Sequence, residues 1–408
     1  MAIVATPSEQ WEELKKGVFE ILPEEEFREK LDVSYRDQKP LLVKFGADPS
    51  RSDLHLGHMV VLDKLKLLQE FGHQVCFLIG NFTARLGDPT GKSKTRLQLS
   101  QQQVDAYGKT YQEQIFRVLD PEKTTVVYNA DWLSSLSLES FLGVLSRTTV
   151  GQLLAREDFS KRWEEKTPLF LHEFMYPLLQ GYDSVALQAD LELGGSDQKF
   201  NLLMGRHLQK SFGKKAQAIL MMPLLEGLDG VHKMSKSMRN TIDLTDSADV
   251  MFGKIMSISD PLMVRYYELV SRISASSFLD LKQALEEGRL HPMEAKKNLA
   301  FEIVQRYHGT GSQAQARFEG LFSKKSSDVD LPVLEVVLET NGRIHWVSFL
   351  VERQIVESRS QVRRLLQQKA IRLDGEVLTE EWYEAKPPSR HVLKVGKLKL
   401  FSLCLKSP

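Results

Sequence analysis

A strand pattern followed directly by a helix pattern, close to the start of the chain, constrains the fold more than any other stretch. The apolar run 41–47 has the length of a strand, and it predicts a short buried one. Apolar residues then recur at helical spacing over 60–71, and Gly72 closes the pattern. A strand, a polar turn and a helix in this order begin a βαβ unit.

Strand and helix patterns continue to alternate as far as Met222. Alternation of this kind over some 200 residues predicts an α/β fold with a doubly wound, Rossmann-like parallel sheet. Ligands bind such sheets in the loops after the carboxyl ends of the strands. The patterns predict helices at 9–31, 100–119, around 176–183 and at 198–212, and strands at 74–80, 124–128, 185–193 and 216–222.

The chain divides into three predicted domains. Residues 1–246 hold the α/β pattern, and 247–325 are almost free of strand signals, which predicts an all-α domain. Residues 326–408 open with a polar linker and continue as a small α+β module, in which Asp374-Gly375 is a two-residue hairpin signal. From residue 343 onward there are 13 Lys/Arg against 7 Asp/Glu, in a chain of zero net charge. This basic module suggests a polyanionic partner.

Composition excludes several classes of protein. The chain has two cysteines, Cys76 and Cys404, and neither lies in a spacing typical of a zinc site, so we expect no zinc or other protein-bound metal and no disulfide framework. No apolar signal region or membrane-spanning stretch is present in the sequence. These features predict a soluble cytoplasmic protein without a membrane partner.

Two histidines, His55 and His58, lie in the turn between the first strand and its helix. Ser52 or Asp53 can cap that helix, which would place both histidines in its first turn. A helix N-terminus has free N–H groups and the positive end of the helix dipole. The turn is therefore a candidate phosphate site.

Three further loops carry polar groups after predicted strands. The segment 87–96 combines glycines with Lys92 and Arg96, but its glycine spacing does not satisfy a P-loop. The segment 194–198, Gly-Gly-Ser-Asp-Gln, brings an acidic side chain next to glycines that let a ligand approach the backbone. The segment 233–237, Lys-Met-Ser-Lys-Ser, has two lysines that can reach one polyphosphate. Each loop alone is also compatible with an ordinary solvated turn.

Together, His55-Leu56-Gly57-His58 and the Lys233–Ser237 segment resemble the two signatures of the class I aminoacyl-tRNA synthetases. The closer resemblance is to the bacterial tyrosyl-tRNA synthetase family, and it covers nearly the whole chain. The tail resembles the S4-type RNA-binding module of that family. The matching residues are Gly46-x-Asp48-Pro49, Gly87–Lys92, Tyr176-x-x-x-Gln180-x-x-Asp183 and Gly194–Gln198.

The resemblance implies that ATP and L-tyrosine form tyrosyl-adenylate and that tRNA(Tyr) then accepts the tyrosine. It also implies Mg²⁺ bound with ATP, a helical anticodon-binding domain at 247–325 and a homodimer. The implied catalytic residues are His55, His58, Lys92, Arg96, Lys233 and Lys236; the ATP-binding residues are Asp48, Gly57, Gly195, Asp197, Met234 and Ser235; the RNA-binding residues are Arg359, Arg363 and Arg364.

Tyr176, Gln180 and Asp183 have the spacing of one helical face, and Pro177 suggests that the helix begins or kinks there. By the resemblance, these residues bind tyrosine together with Asp88 and Gln198, and Asp183 accepts from the phenol hydroxyl. A buried acceptor left unpaired by phenylalanine discriminates strongly, and tyrosyl-tRNA synthetases are themselves a standard example of this rule.

Two positions depart from the best-known form of the family. Lys44 stands where a tyrosine that contacts the phenol is expected, and Glu192 stands where a glutamine is expected. The 195–201 pattern is similar to a second bacterial subgroup. Two alternatives stay open: a tryptophanyl-tRNA synthetase, which normally lacks such a tail, and a catalytically inactive, synthetase-like RNA-binding protein.

Overall fold

The structure is a computed structural model that describes residues 2–49, 54–88, 100–322, 333–337, 343–356, 358–384, 389–396 and 399–406. The chain forms two compact units. The first unit comprises Met1–Thr245 and Ile258–Leu299, and the second comprises Asp246–Ser257 and Ala300–Pro408. Within the described ranges, no helix is both long and apolar enough to cross a membrane.

A six-stranded sheet forms the centre of the first unit, in the order β1-β6-β5-β2-β3-β4. All neighbouring strands are parallel except β1, which pairs antiparallel with β6 at the edge. Among the five parallel strands, chain order runs outward in both directions from the β2–β5 junction, so the predicted doubly wound sheet is confirmed. The strands are β1 Glu20–Leu22, β2 Leu42–Ala47, β3 Gln74–Ile79, β4 Thr124–Tyr128, β5 Leu191–Gly195 and β6 Ala218–Met222.

Helices cover the sheet, and strands β3 and β6 are almost entirely buried, as expected for parallel strands packed on both faces. Helices α10 and α11 pack against each other through Leu178, Val185 and Leu208. The helices are α1 Pro7–Lys15, α2 Glu24–Asp37, α3 Leu56–Glu70, α4 Thr83–Leu86, α5 Gln101–Ile115, α6 Ala130–Leu133, α7 Leu138–Leu145, α8 Val150–Leu154, α9 Glu157–Glu164, α10 Leu171–Leu187 and α11 Lys199–Ser211.

Two predicted elements near the sheet are wrong. Ile21 and Leu22 belong to β1 instead of a helix, because they pair with Leu220 and Ile219 of β6. Residues 185–187 end α10 instead of opening a strand, because Val185 packs on helix α11 through Leu208. Pairing and packing with distant residues decide both cases, and local periodicity does not record them.

Two predicted helix starts also differ. Helix α10 begins at Leu171, so Pro177 lies inside it; of the two predicted alternatives at Pro177, a helix start is wrong. Helix α3 begins at Leu56 with His55 itself as the N-cap residue, whereas the predicted caps, Ser52 and Asp53, lie outside the described residues.

Between residues 247 and 322, all of which are described, the regular elements are helices, as predicted. In the second unit, α12 and α16 pack through Phe252 and Phe318, whose ring centroids are 5.2 Å apart. Arg317 on α16 also pairs with Asp249 on α12 at 2.8 Å. The helices are α12 Ala248–Met256, α13 Asp260–Leu269, α14 Ala275–Glu286, α15 Pro292–His308 and α16 Gly311–Phe322.

The tail forms a five-stranded sheet in the order β10-β9-β12-β13-β7, a two-stranded β11-β8 pair and two helices. The hairpin at Asp374-Gly375 is confirmed, because Leu373 pairs with Glu376 across it. Helix α18 buries Val362 and Leu366, while Arg359, Arg363 and Arg364 are exposed. The elements are β7 Val333–Val337, β8 Arg343–His345, α17 Trp346–Glu352, α18 Arg359–Gln367, β9 Ile371–Leu373, β10 Glu376–Val377, β11 Trp382–Glu384, β12 Ser389–Val395 and β13 Lys399–Lys406.

Candidate active site

A cavity of about 740 Å³ opens in the first unit at the carboxyl ends of β2 and β5. The chain order reverses between these two strands, and doubly wound folds bind ligands at such a switch point. Fifteen of the residues predicted from sequence line this one cavity: Asp48, His55, Gly57, His58, Asp88, Tyr176, Gln180, Asp183, Gly195, Asp197, Gln198, Lys233, Met234, Ser235 and Lys236.

The other predicted residues form two groups. Lys92 and Arg96 fall outside the described residues, so the structure does not test their position. Arg359, Arg363 and Arg364 belong to the second unit. Among the residues that the structure describes, no group of three or more His, Cys, Asp or Glu side chains is arranged to hold a metal ion.

The histidine turn is held by hydrogen bonds between its own residues. His55 Nδ1 accepts from the Gly57 N–H at 3.2 Å, and His58 Nδ1 accepts from the His55 N–H at 3.1 Å. In each neutral imidazole the proton must then lie on Nε2. A Cβ at Gly57 would lie 3.0 Å from the His55 ring, so glycine allows this close approach. Both histidines therefore have an Nε2–H available as a donor.

Both imidazoles are neutral at physiological pH. Burial is the main cause that lowers the pKa of His55 to about 2, with additional effects from His58 and Lys236. Burial likewise lowers the pKa of His58 to about 4. Neutral imidazoles donate a hydrogen bond to a phosphate without adding a full charge, so the positive charge here comes from lysines.

The lysine loop, residues 233–237, lies against the histidine turn. The Met234 side chain is buried, and its Cβ is 3.6 Å from the Cβ position of Gly57. The Met234 N–H donates to the Leu225 carbonyl at 2.7 Å. Lys233 is 57% exposed and pairs with Asp197 Oδ2 at 3.3 Å. The loop is thus anchored by one apolar side chain, while its first lysine extends toward solvent.

Asn240, which the sequence reasoning missed, organises this loop. Its side-chain oxygen accepts from the Ser235 N–H at 2.8 Å, and its amide donates to Asp229 and to the carbonyls of His232 and Lys233. The only sequence signal was an Asn three residues after the lysine pattern, because three of its four hydrogen bonds are formed with backbone groups.

Asp48 and Tyr176 contact each other within the cavity. The Tyr176 hydroxyl donates to Asp48 Oδ2 at 2.8 Å, and the Thr83 hydroxyl donates to Asp48 Oδ1 at 2.7 Å. A Cβ at Gly80 would lie 2.0 Å from Asp48 Oδ1, so only glycine admits the carboxylate there. Burial and the carboxylates nearby raise the pKa of Tyr176 well above its usual value. Tyr176 thus stays a neutral donor.

Asp183 is 1% exposed and accepts two hydrogen bonds. Trp132 Nε1 donates to Oδ1 at 2.8 Å, and Asn129 Nδ2 donates to Oδ2 at 3.3 Å. Burial raises the pKa of Asp183 to about 7, although Lys44 and both donors oppose this rise. The sequence reasoning missed Asn129 and Trp132, and the available signal was the position of Asn129 at the end of a strand.

Asp88 is held from two sides. Gln198 Nε2 donates to Asp88 Oδ2 at 2.8 Å, and Arg156 Nη2 lies 3.9 Å from Oδ1. Gln198 in turn accepts from Asn201 Nδ2 at 2.9 Å. Two predicted ligand-binding residues are therefore joined directly, and their orientation depends on Arg156 and Asn201, which the sequence reasoning did not single out.

Lys44 and Glu192, the two departures from the family pattern, form a buried ion pair. Lys44 Nζ lies 2.9 Å from Glu192 Oε1, and the side chains are 0% and 1% exposed. Both residues line the cavity. The departures are therefore coupled, since a buried charge of either sign requires the other.

The fold and the site together define a class of protein, the class I aminoacyl-tRNA synthetases. A histidine turn and a lysine loop meet in one cavity, at the switch point of a doubly wound sheet. Comparison with known proteins then identifies the family. The model of the tRNA synthetases of class I for tryptophan and tyrosine (W and Y) matches residues 36–322, and the chain belongs to this family.

Individual relatives agree with this assignment. The chain is 47% identical over 386 residues to a tyrosine–tRNA ligase from Geobacter sulfurreducens, covering 94% of this chain and 96% of the relative. It is 48% identical over 391 residues to one from Desulfotalea psychrophila, covering 95% and 96%.

Solved structures share the fold. The tyrosyl-tRNA synthetase from Archaeoglobus fulgidus, in complex with L-tyrosine, is similar with a TM-score of 0.62 and 23% identity, covering 76% of this chain and 99% of that one. A C-terminally truncated mitochondrial tyrosyl-tRNA synthetase from Aspergillus nidulans gives a TM-score of 0.64 at 21% identity, covering 78% and 95%.

Proposed function

We propose that the chain activates L-tyrosine with ATP, releasing pyrophosphate, and transfers the tyrosine from tyrosyl-adenylate to the 3′ end of tRNA(Tyr). The observation that carries the proposal is a single cavity that contains both a buried carboxylate, Asp183, and the histidine turn with the lysine loop. The near full-length relatives named as tyrosine–tRNA ligases support it.

In the first step, a carboxylate oxygen of tyrosine attacks the α-phosphorus of ATP in line. The new oxygen–phosphorus bond forms as the bond to the leaving pyrophosphate breaks. The nucleophile is already ionised, so no general base is needed, and catalysis consists of orientation and charge stabilisation. His55 and His58 donate from Nε2 to phosphate oxygens, and Lys233 and Lys236 hold the pyrophosphate. Lys92 and Arg96 assist there, and Mg²⁺ enters with ATP.

The nucleotide occupies the part of the cavity next to the glycines of β5. Asp197 and Gly195 hold the ribose, and Asp48 lies near the nucleotide. Gly57, Met234 and Ser235 contact ATP. Lys233 pairs with Asp197 at 3.3 Å, so the lysine that holds the pyrophosphate and the carboxylate that holds the ribose lie side by side.

The amino acid occupies the part of the cavity along α10. Tyr176, Gln180 and Asp88 surround the ammonium group, and Gln198 faces the reacting carboxyl group. Asp183 accepts a hydrogen bond from the phenol hydroxyl. Phenylalanine would leave Asp183 without the hydrogen bond from the phenol, and a buried group that loses such a partner costs about 1–3 kcal/mol, or more when it is charged.

ATP–pyrophosphate exchange with each of the amino acids tests the proposal. We expect exchange with tyrosine, and much weaker exchange with phenylalanine and tryptophan. Exchange with tryptophan alone would identify a tryptophanyl-tRNA synthetase. Exchange with none of the amino acids would favour the alternative of a catalytically inactive RNA-binding protein.

For the second step, the tail acts as an S4-like module that binds tRNA(Tyr), and 247–325 acts as the anticodon-binding domain. Arg359, Arg363 and Arg364 are exposed on α18 and contact phosphates, which would make binding salt-sensitive. Deleting the residues after Lys325 should spare exchange but impair charging. If the truncated protein charges tRNA as well as the full-length protein, the tail does not contribute to tRNA charging.

The chain acts as a homodimer in the cytoplasm. Large apolar side chains are exposed between residues 138 and 171, and a contiguous patch of such side chains would mark an interaction site. We expect a dimer in sedimentation experiments and dissociation by Trp163→Glu, whereas a monomeric wild-type protein would contradict the assembly. The side chains are Leu138, Leu142, Val150, Trp163, Phe170 and Leu171.

A further inference from the structure

Lys44 and Glu192 lie opposite each other across the β2–β5 junction, where their Cα positions are paired in register. The ammonium group of Lys44 has three protons and three acceptors: Glu192 Oε1 at 2.9 Å, Ser184 Oγ at 2.8 Å and the Gln180 carbonyl at 3.2 Å. All its donors are therefore used within the protein. Lys44 cannot replace the expected tyrosine by donating directly to a ligand.

The partners of Lys44 connect it to the helix turn that carries the tyrosine-binding residues. Gln180 and Ser184 are on either side of Asp183 in α10. Ser184 also donates to Glu192 Oε2 at 3.0 Å, and Gln217 donates to the same oxygen. The ion pair thus joins β2, β5 and α10 at the Asp183 turn.

We propose that Lys44 and Glu192 form a positioning pair for tyrosine recognition, which fixes the Gln180–Ser184 turn and balances the charge around Asp183, the acceptor for the phenol. This role rests on the proposed function. Lys44 and Glu192, the two departures from the family pattern, thus share a single role. They act through Asp183 and do not contact the substrate.

The balance of charge follows from the groups around Asp183. Without Lys44, two buried carboxylates would remain close together, and like charges in a shared site drive one of them to take a proton. Without Glu192, the lysine would face Asp183 alone and favour its ionised form. Burial raises the pKa of Asp183 to about 7; within that environment Lys44 lowers this pKa and Glu192 raises it.

Two further titratable groups that interact with Asp183 are neutral. Burial raises the pKa of Cys76 on β3 to about 11, and the pKa of Tyr176 on α10 is raised well above its usual value. The two further hydrogen-bond donors, Asn129 and Trp132, do not titrate. Lys44 and Glu192 thus act on the pKa of Asp183 as charged residues, and with opposite sign.

The test measures kcat/KM for tyrosine in ATP–pyrophosphate exchange from pH 6 to 9 with full-length variants. This quantity reports the groups that titrate in the free enzyme. Lys44→Met should move the acidic limb of the pH profile of kcat/KM to higher pH by about one unit or more. Glu192→Gln should move this limb to lower pH. The double variant, which removes both charges, should return the limb close to its wild-type position.

Equilibrium binding of tyrosine over the same pH range provides a second measurement that needs no ATP chemistry. Arg162→Met is the matched control, because Arg162 and Glu173 form another buried ion pair, with side chains 7% and 3% exposed. We expect this control to lose thermal stability without moving the acidic limb. If Lys44→Met does not fold, two variants still test the proposal. Glu192→Gln shows the direction in which the acidic limb moves, and the double variant shows whether the limb returns to its wild-type position.

Opposite shifts with a return in the double variant support the positioning pair. An unmoved limb in folded variants, or shifts in the same direction, would overturn it and reduce the pair to a structural ion pair. These outcomes are separate from the proposed function, which fails if wild-type protein does not exchange pyrophosphate with tyrosine.

Discussion

The region around Asp183 and the region around the lysine loop line the same cavity but differ in how far their polar groups are fixed before a ligand binds. We call them the phenol end (Asp183, Asn129 and Trp132) and the phosphate end (His55, His58 and residues 233–237). Asp183 is 1% exposed and accepts two hydrogen bonds. Lys233 is 57% exposed, and its contact with Asp197 is an ion pair at 3.3 Å.

This difference matches two different tasks. An acceptor that selects a hydroxyl group must be held in place and desolvated in advance, because an unpaired buried group is what penalises the wrong substrate. A group that stabilises a leaving pyrophosphate must act most strongly in the transition state, and a loop that closes on the nucleotide can do this. We therefore expect substitutions at the phosphate end to affect rate, and those at the phenol end to affect selectivity.

The largest effect is expected at the phosphate end. Lys233→Ala or Lys236→Ala should slow adenylate formation on the order of 10²–10³-fold, because each removes a charge that stabilises the transition state. Rapid-quench measurements give this rate, and equilibrium dialysis should give an unchanged Kd for tyrosine. Lys214→Ala, at an exposed lysine, is the control. If the lysine variants bind tyrosine more weakly but form the adenylate at the wild-type rate, the phosphate end does not act on the rate as proposed.

The next effect concerns selectivity. Asp183→Asn should reduce the preference for tyrosine over phenylalanine on the order of 100-fold, because the phenol loses a charged acceptor. The ratio of kcat/KM for the two amino acids in the exchange assay measures it. Asp131→Asn, at an exposed carboxylate in the neighbouring helix α6, should leave the ratio unchanged. Equal losses with tyrosine and phenylalanine would mean that Asp183 is not a selectivity determinant.

The two ends also differ in how well sequence predicts them. His55, His58, Lys233 and Lys236 belong to short segments, so their spacing can be read locally, and the structure does bring these segments together. Lys44 and Glu192 are 148 positions apart and meet only through the strand order at the β2–β5 junction. Their pairing could be recognised only from the strand order. In the sequence, each residue alone is simply a departure from the family pattern.

The same limit explains the errors in the fold. The parallel strands and the helices around them could be predicted, because burial imposes a periodicity on their sequences. Strand β1 could not, because its three residues become a strand only by pairing with β6. Asn129 and Trp132 were missed because a hydrogen bond to a distant carboxylate leaves no local pattern.

A smaller effect tests the hydrogen bonds of the phenol end. Trp132→Phe removes the indole donor to Asp183 and should raise KM for tyrosine about tenfold, since a hydrogen bond to a charged group contributes about 1.5–3 kcal/mol. The value of kcat should change little at saturating tyrosine. The acidic limb of kcat/KM should move to higher pH, because this donor lowers the pKa of Asp183. Trp382→Phe, in the second unit, is the control; an unchanged KM in Trp132→Phe would show that Asp183 needs no such support.

The smallest effect concerns the pH dependence of the histidine turn. Burial lowers the pKa of His55 to about 2 and that of His58 to about 4, so both are neutral throughout the range from pH 6 to 9. The ratio of wild-type to His55→Gln exchange activity should then vary by less than about twofold over this range, because no histidine proton is gained or lost. Titration of Asp183 affects both proteins and cancels in the ratio.

Folding stability should carry the complementary signal. A histidine with an ordinary pKa in the unfolded chain and a lowered pKa in the folded protein binds more protons when unfolded, so stability rises with pH from about 4 to 6.5 and is lost as pH falls. The Tm of His58→Gln should therefore fall less on acidification than that of the wild type. Two results together would mean that the histidines are charged: an activity ratio that changes severalfold around pH 6.5, and a Tm that falls equally in His58→Gln and the wild type on acidification. The phosphate end would then rely on imidazolium instead of lysine for its positive charge.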